Sequence, residues 1–320
     1  MSSRRLIQFG KNSFVLSIPK SWVERNKLKK GDEVNVEESA ESLILSSRNE
    51  SASELRIKKI SCDDSIGVGR NIIAAYMNNY SIIEIHGLKL RDHIKDIEET
   101  THSLVALEIM EQNSKKIVIK DFLNTQDISI ESIIKRMDII IRAMFSEAHE
   151  FFDKNEKIDL DKMDVDINRL FYVGHKILNK LLDKPSLSKS LNIHVKETLF
   201  YGSMIDSLEK IADQQKRFIR CIEKIDNTCV TKEHLRKAFE ALIERYLETI
   251  KAFYKLDKDE ADRLYMTSKK SMEVCEEIID KYIHKCKKTA DIHYTSEAVE
   301  KLKKFENYMS QISKLVINKE

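Results

Sequence analysis

Two pairs of oxygen-bearing side chains at helical spacing are the clearest sign of chemistry in this chain. Glu209 and Asp213 stand four residues apart and so share one face of a predicted helix. Asp164 and Asn168 repeat this spacing on the helix before it. At about 100° per residue, each pair lies on the edge of an apolar stripe, and edges of the same hand meet in an antiparallel helix pair. Oxygen ligands gathered in this way suit a metal ion, divalent or ferric (iron, manganese or magnesium); a solvated helix flank is the alternative.

A second chemical signal is positive charge concentrated at the N-terminus. Among the first thirty residues Glu24 is the only acidic one, whereas the basic ones are Arg4, Arg5, Lys11, Lys20, Arg25, Lys27, Lys29 and Lys30. The whole chain carries a net charge of only +2, so this basic character is local. Clustered cations of this kind neutralise DNA phosphates and give salt-dependent binding. Simple solvation of a small β-module is the alternative.

Other reactive residues give no pattern that favours an enzyme. The five cysteines are odd in number, widely spread and without a Cys-x-x-Cys pair, which predicts reduced thiols: Cys62, Cys221, Cys229, Cys275 and Cys286. No glycine-rich phosphate loop and no nucleophile elbow occurs in the sequence. No apolar run approaches the roughly 18 residues of a membrane span, and no signal peptide is evident, so a cytoplasmic location is expected.

The basic segment must be positioned by a small β-module over residues 1–50. Phe14–Ile18 is an extended run ended by Pro19, which cannot donate to a strand ladder. Ser21–Glu24 predicts a helical stretch, and Lys30–Asp32 predicts a turn. Asp32–Val36 alternates polar and apolar residues, as a half-buried strand does.

Residues 53–124 predict a small α/β connecting module. Its expected strands and helices, in chain order, are Leu55–Ile60, Asp64–Asn78 (helix), Ser81–Ile85, Arg91–Leu107 (helix) and Lys116–Ile119.

The remainder predicts long amphipathic helices, because the chain has only 7 glycines and 2 prolines and 34% of its residues are charged. Six helices fit, at about 129–154, 159–183, 189–225, 231–256, 259–287 and 293–317. The apolar stripes include Met163, Ile167, Phe171, Ile177 and Leu181 on the second helix and Ile205, Leu208, Ala212, Ile219 and Ile222 on the third. A weak internal repeat, with residues 142–152 echoing 245–254, predicts two tandem antiparallel three-helix bundles at 128–226 and 230–318. The fold class is therefore α+β, mostly α.

Particular motifs resemble two known families. Ser13–Val23 followed by Leu28–Val34 resembles the SpoVT/AbrB swapped-hairpin DNA-binding domain, in which two chains interleave into one β-barrel. Leu208–Asp213 is similar to the metal motif of PhoU-like phosphate uptake regulators, and Met163–Leu170 resembles their companion acidic motif. Ile72–Tyr76, together with residues 107–111, looks like the connecting module of archaeal proteins that fuse the two families.

Three departures from these families modify what the resemblance implies. Val23 and Glu24 stand where AbrB-type domains often carry two arginines. Contact with DNA is then expected to rest on Arg4, Arg5, Lys11 and Lys20. Asn168 replaces a family aspartate, and the second bundle has Leu302–Asn307 in place of the metal motif, so only one metal cluster is expected.

The resemblance implies a cytoplasmic, homodimeric or higher oligomeric DNA-binding transcriptional regulator of phosphate uptake. Its helical bundles would sense phosphate status or contact a phosphate transporter or sensor kinase. An adaptor that regulates the transporter by protein contact, with the N-terminal domain only dimerising, is the alternative. A metal-storage protein or metal-dependent enzyme is the third hypothesis.

Overall fold

The computed structural model describes residues 3–39, 42–47, 55–63, 67–125, 128–154 and 158–319. The chain forms two compact units, unit 1 at residues 1–55 and unit 2 at residues 56–320. The architecture is α+β and mostly α, as the sequence predicts. None of the helices in the described ranges is both long and apolar enough to cross a membrane.

Unit 1 consists of two antiparallel strand pairs with a short helix between them. Strand β1 (Ile7–Phe9) pairs with β2 (Ser13–Val15), and β3 (Val34–Ser39) pairs with β4 (Ser42–Ser47). Helix α1 spans Lys20–Arg25.

The strand and turn limits in unit 1 differ in part from the sequence prediction. The strand predicted to reach Ile18 ends at Val15, because the chain is already leaving the ladder before Pro19. The strand predicted at 32–36 begins two residues later, at Val34, and continues to Ser39. The predicted turn is present, and Gly31 has φ +97°, a conformation that glycine adopts without strain.

Unit 2 begins with a four-stranded sheet covered by two helices. The elements are β5 (Ile57–Ser61), α2 (Val68–Met77), β6 (Ile82–His86), α3 (Leu90–His102), β7 (Leu107–Gln112) and β8 (Lys116–Asp121). The strand order is β5-β6-β8-β7, with β5 and β6 parallel and the other pairs antiparallel. Buried isoleucines from the central strands, including Ile83, Ile85, Ile117 and Ile119, form the core of this module.

The predicted helix from Arg91 to Leu107 is wrong at its C-terminal end. Helix α3 stops at His102, Ala106 takes a left-handed φ of 57°, and Leu107 begins strand β7. The start of the predicted helix at 64–78 falls partly outside the described residues, since residues 64–66 are among those not described. Its described part corresponds to α2.

In the described residues after the sheet module the chain forms seven α-helices, and their buried residues form one continuous core. They are α4 (Ile130–Lys154), α5 (Asp161–Asp183), α6 (Ser188–Leu191), α7 (Thr198–Ile222), α8 (Val230–Lys255), α9 (Lys258–Tyr282) and α10 (Thr289–Ile317). Helices α7 and α10 pack against each other and so join the two predicted bundles. The predicted apolar stripe of α7 is confirmed, because all five of its residues are buried. On α5, Ile167, Ile177 and Leu181 are buried, whereas Met163 and Phe171 are half-buried.

The predicted helix at 189–225 is broken in the structure. Asn192 adopts a left-handed conformation with φ 52°, which ends α6, and a single 3-10 turn at Val195–Glu197 leads into α7. Asparagine tolerates this conformation better than most residues, so the break has a local cause. Helix α9 likewise ends at Tyr282 and not at 287, and α10 begins at Thr289 and not at 293.

Candidate nucleic-acid interface and acidic cluster

The surface of unit 1 is unusually apolar for a free-standing module. None of its side chains that the structure describes is buried. The exposed large apolar residues are Leu6, Ile7, Phe9, Phe14, Val15, Leu16, Val36, Leu43 and Leu55. Phe9 is 70% exposed and Phe14 65% exposed, although both lie on paired strands. Two-stranded hairpins without a shared core are marginally stable in water, so contact with another apolar surface would stabilise this unit.

The predicted DNA-contacting cations lie on the same unit. Arg4, Arg5 and Lys11 are exposed, and no ion pair joins them to another described residue. Arg4 and Arg5 precede β1, whereas Lys11 lies in the turn between β1 and β2. Lys20 differs from these three, because its Nζ lies 3.6 Å from Oε1 of Glu24 on the next turn of α1. Three of the four predicted side chains are therefore available to an external anion.

The predicted acidic residues meet where α5 packs against α7. The Asn168 amide donates a hydrogen bond to Asp164 Oδ2 at 3.3 Å. Lys216 Nζ lies 2.6 Å from the same Asp164 oxygen and 3.9 Å from Asp213 Oδ1. The edges of α5 and α7 thus meet at Lys216, whose ammonium group lies between the carboxylates of Asp164 and Asp213.

We call Asp164, Asn168, Glu209 and Asp213 the acidic cluster, and its carboxylates differ in their surroundings. Arg217 Nε donates to Asp213 Oδ2 at 2.7 Å, which raises the pKa of Arg217. Burial raises the pKa of Glu209, and the nearby carboxylates Asp213 and Asp164 raise it further. The charged form of Glu209 is therefore disfavoured both by burial and by its acidic neighbours.

As arranged, these side chains do not form a metal-ligand set. Within the described ranges no group of three or more His, Cys, Asp or Glu side chains is placed to hold a metal ion. Asp164 and Asp213 instead accept hydrogen bonds or ion pairs from Lys216 and Arg217. A metal ion would have to replace the Lys216 ammonium.

Sequence reasoning missed two parts of this region. Lys216 follows Asp213 by three residues, a spacing that could have indicated an ion pair within the helix. His175 on α5 lies with Nε2 2.8 Å from Asp206 Oδ1 on α7, and nothing in their separate positions in the sequence signals that contact.

These observations define unit 1 as a small, basic module of β-hairpins with exposed apolar side chains. Residues 7–52 match the family model described as antidote-toxin recognition MazE, bacterial antitoxin. The N-terminal domain is therefore MazE/AbrB-like, which agrees with the resemblance found in its sequence. Neither a curated protein nor a solved structure matches the chain.

Proposed function

We propose that this protein is a homodimeric, DNA-binding transcriptional regulator of phosphate uptake. Unit 1 would dimerise and contact DNA, and the helices of unit 2 would sense phosphate status or bind a regulatory partner. The observation that carries the proposal is that unit 1 combines exposed apolar strands with exposed cations.

Dimerisation follows from the energetics of the hairpins. Burying a Phe or Ile side chain is worth about 1.5–3 kcal/mol relative to leaving it in water. Ile7, Phe9 and Phe14 all forgo this gain in a single chain, since each is more than 60% exposed. A second copy of the same hairpins supplies a matching apolar surface, and MazE/AbrB-like domains typically dimerise in this way.

DNA binding follows from the cations that would surround such a dimer. Four cations per chain (Arg4, Arg5, Lys11 and Lys20) give eight per dimer. If all eight met phosphates, the logarithm of the binding constant would fall against the logarithm of salt with a slope of about −7. Loss of Lys20 to its ion pair with Glu24 would reduce that slope to about −5.

The phosphate role rests on the helical unit. The PhoU-like motifs around Asp164 and Glu209 meet at one helix interface, where they could report a change in ligand or partner. A phosphate transporter or a sensor kinase is the partner class that the resemblance implies. A cytoplasmic location and the absence of an enzymatic role are part of this proposal.

The experiment is a binding titration of the full chain with fluorescent mixed-sequence duplex DNA at several salt concentrations. The triple variant Arg4→Ala, Arg5→Ala, Lys11→Ala should weaken binding at least tenfold and flatten the salt dependence. The matched control removes three exposed lysines of unit 2, namely Lys89, Lys95 and Lys115, and should bind as the wild type does. Absence of DNA binding by the wild-type dimer at low salt would refute the DNA role. Promoter fragments of phosphate-transport genes then test the phosphate assignment, which fails if they bind no better than mixed-sequence DNA.

The dimer is tested separately by light scattering. Phe9→Ser and Phe14→Ser should convert the dimer to a monomer, because each removes an exposed ring that the second copy would cover. Met266→Ser is the control, since this exposed apolar residue lies in unit 2 and is 71% exposed. A wild-type chain that is monomeric at micromolar concentration would contradict the proposal.

The adaptor hypothesis is favoured by one observation, the ion pair between Lys20 and Glu24. Glu24 places a negative charge on α1, and its ion pair occupies Lys20, one of the predicted DNA contacts. An adaptor would keep its control of phosphate uptake in cells when Arg4, Arg5 and Lys11 are replaced by alanine. A DNA-binding regulator would lose it.

We further propose that the acidic cluster binds a metal ion, and replacement of Lys216 tests this proposal. A manganese titration by calorimetry should show tighter binding to Lys216→Met than to the wild type, because that variant releases Asp164 and removes the ammonium group that lies beside Asp213. Glu209→Gln in the same background should weaken it again. If Lys216→Met binds no manganese, the metal hypothesis fails, and with it the metal-storage and metal-dependent enzyme hypotheses.

A further inference from the structure

The fold brings two cysteines together that lie far apart in the sequence. Sγ of Cys229 lies 3.2 Å from Sγ of Cys286, although 57 positions separate them in the chain. The Thr231 hydroxyl lies 3.2 Å from the Cys229 sulfur and 3.8 Å from the Cys286 sulfur. The sulfurs of a disulfide are about 2.0 Å apart, so these two need to approach by only about 1 Å.

The positions of both cysteines in the backbone allow their sulfur atoms to approach each other. Cys229 is the residue that precedes α8 and has extended φ and ψ angles. Cys286 follows a 3-10 turn at Ile283–Lys285 and is also extended, in the connection that leads to α10. Because neither residue lies within an α-helix, a small shift of either side chain breaks no helical hydrogen bond.

Exposure separates this pair from the other cysteines. Cys229 and Cys286 are partly exposed, whereas Cys62, Cys221 and Cys275 are buried. A surface cavity of about 320 Å³ opens beside Cys229. Lys232, Glu233 and Arg236 line that cavity, and Arg236 is already paired with Asp153 and Glu240. Lys232 is therefore the cation that suits an oxidant carrying carboxylates.

We propose that Cys229 and Cys286 are a redox modification site, at which glutathione disulfide converts the two thiols into an intrachain disulfide. The thiolate of one cysteine attacks a sulfur of glutathione disulfide, forming a mixed disulfide and releasing one glutathione thiolate. The thiolate of the second cysteine then attacks the protein sulfur of that mixed disulfide and releases the other glutathione. Two protein thiols and one glutathione disulfide thus give one protein disulfide and two glutathione thiols, with the two electrons passing to glutathione.

The bond would fasten the start of α8 to the connection before α10. Thr231 Oγ1 on α8 already lies 3.8 Å from Cys286 Sγ and 2.9 Å from Thr295 Oγ1 on α10, so these segments touch in the reduced protein. The disulfide would therefore lock an existing contact and not create a new arrangement.

The experiment incubates the folded full-length protein with glutathione disulfide and then follows its thiols. Free thiols are counted after denaturation, and unreduced tryptic peptides are identified by mass spectrometry. The expected result is a loss of two of the five thiols and a link between peptides 225–232 and 286–287, which contain Cys229 and Cys286. No glutathione should remain attached to the wild type.

Two variants make the outcome decisive. Cys286→Ser should stop at the mixed disulfide and retain one glutathione on Cys229, because the second attacking thiol is gone. Cys275→Ser is the matched control and should still form the link, because Cys275 is buried away from the pair. A link between other cysteines, a link between chains, or no loss of thiols in the folded wild type while the urea-unfolded chain is oxidised would each overturn the proposal.

Discussion

Lys176 on α5 is the residue whose replacement tests the packing of unit 2 most directly. Its side chain is only 2% exposed, and Nζ lies 2.7 Å from Asp121 Oδ2 at the end of β8. The same ammonium donates to the Tyr76 carbonyl on α2 at 2.7 Å and lies 4.3 Å from the centre of the Tyr76 ring. Lys176 therefore ties the helical bundle to the sheet module at three points.

Lys176→Met is expected to lower the free energy of unfolding because it leaves the buried partners of Lys176 unpaired. Methionine has nearly the same length, so little volume is lost. Asp121, whose side chain is only 10% exposed, is left without its cation, and the Tyr76 carbonyl loses its donor. Removing one partner of a buried pair typically lowers the free energy of unfolding by about 3–5 kcal/mol. Burial lowers the pKa of Lys176 while Asp121 opposes that change, so the ammonium depends on this carboxylate.

Urea unfolding followed by far-ultraviolet circular dichroism measures this cost at a fixed protein concentration. The signal reports mainly on unit 2, since helices α2 to α10 belong to it. Asp121→Asn should also destabilise, and the double variant should lose at least about 1.5 kcal/mol less than the sum of the single variants. Lys95→Met is the control, because its ion pair with Glu99 is exposed and should change stability by no more than about 0.5 kcal/mol. Additive effects of Lys176→Met and Asp121→Asn would refute the claim that the two charges stabilise each other.

Three further predictions concern the helices of unit 2 and the turn that ends α6. Tyr246→Phe removes the hydroxyl that donates to Asp138 at 2.8 Å, and thermal or urea unfolding should show a loss of about 1–2 kcal/mol. Burial raises the pKa of Glu306 despite its hydrogen bonds from Arg245 and Ser271, so the folded protein binds a proton there more tightly than the unfolded chain does. The stability contributed by this group is therefore full below pH 4.5 and is lost as the pH rises through the folded-state pKa. The free energy of unfolding of Glu306→Gln should therefore rise relative to that of the wild type over this pH interval. Asn192→Ala should destabilise by about 1 kcal/mol in the same unfolding assay, because φ there is 52°, and Asn192→Gly should not.

Helix positions in this chain could be predicted because their signals are local. The apolar stripe from Ile205 to Ile222 repeats at helical spacing, and burial follows it. The break at Asn192 was missed because it depends on one residue in a left-handed conformation. The start of β7 at Leu107, within the predicted helix, follows another such residue, Ala106. Helical periodicity carries no information about such a conformation, since it counts apolar residues and not backbone angles.

Charged residues that are buried by another element could not be predicted in the same way. Lys176 stands next to Ile177 in the apolar stripe of α5, and a lysine at that place is most often solvated. It is buried because the sheet module covers a second face of α5, where Asn79 and Asn179 also bridge the two elements by donating to the carbonyls of Lys176 and Met77. Which face of a helix receives a second layer depends on tertiary packing, so its polar residues acquire partners that spacing alone does not reveal.

Helix α5 shows how the same residue types take different roles along one element. Near its N-terminus Asp164 meets Lys216 of α7 at the rim of the helix pair, where a competing cation or partner could displace the ammonium. Two-thirds of the way along, Lys176 meets Asp121 in an interior that excludes water. Exchange of ions costs less at the first pair than at the second, because the Lys216 and Asp164 side chains are 14% and 16% exposed whereas Lys176 is only 2% exposed. If a ligand displaces an ion along this helix, we therefore expect it to do so at the acidic cluster, while the buried pair keeps the helix fixed to the sheet.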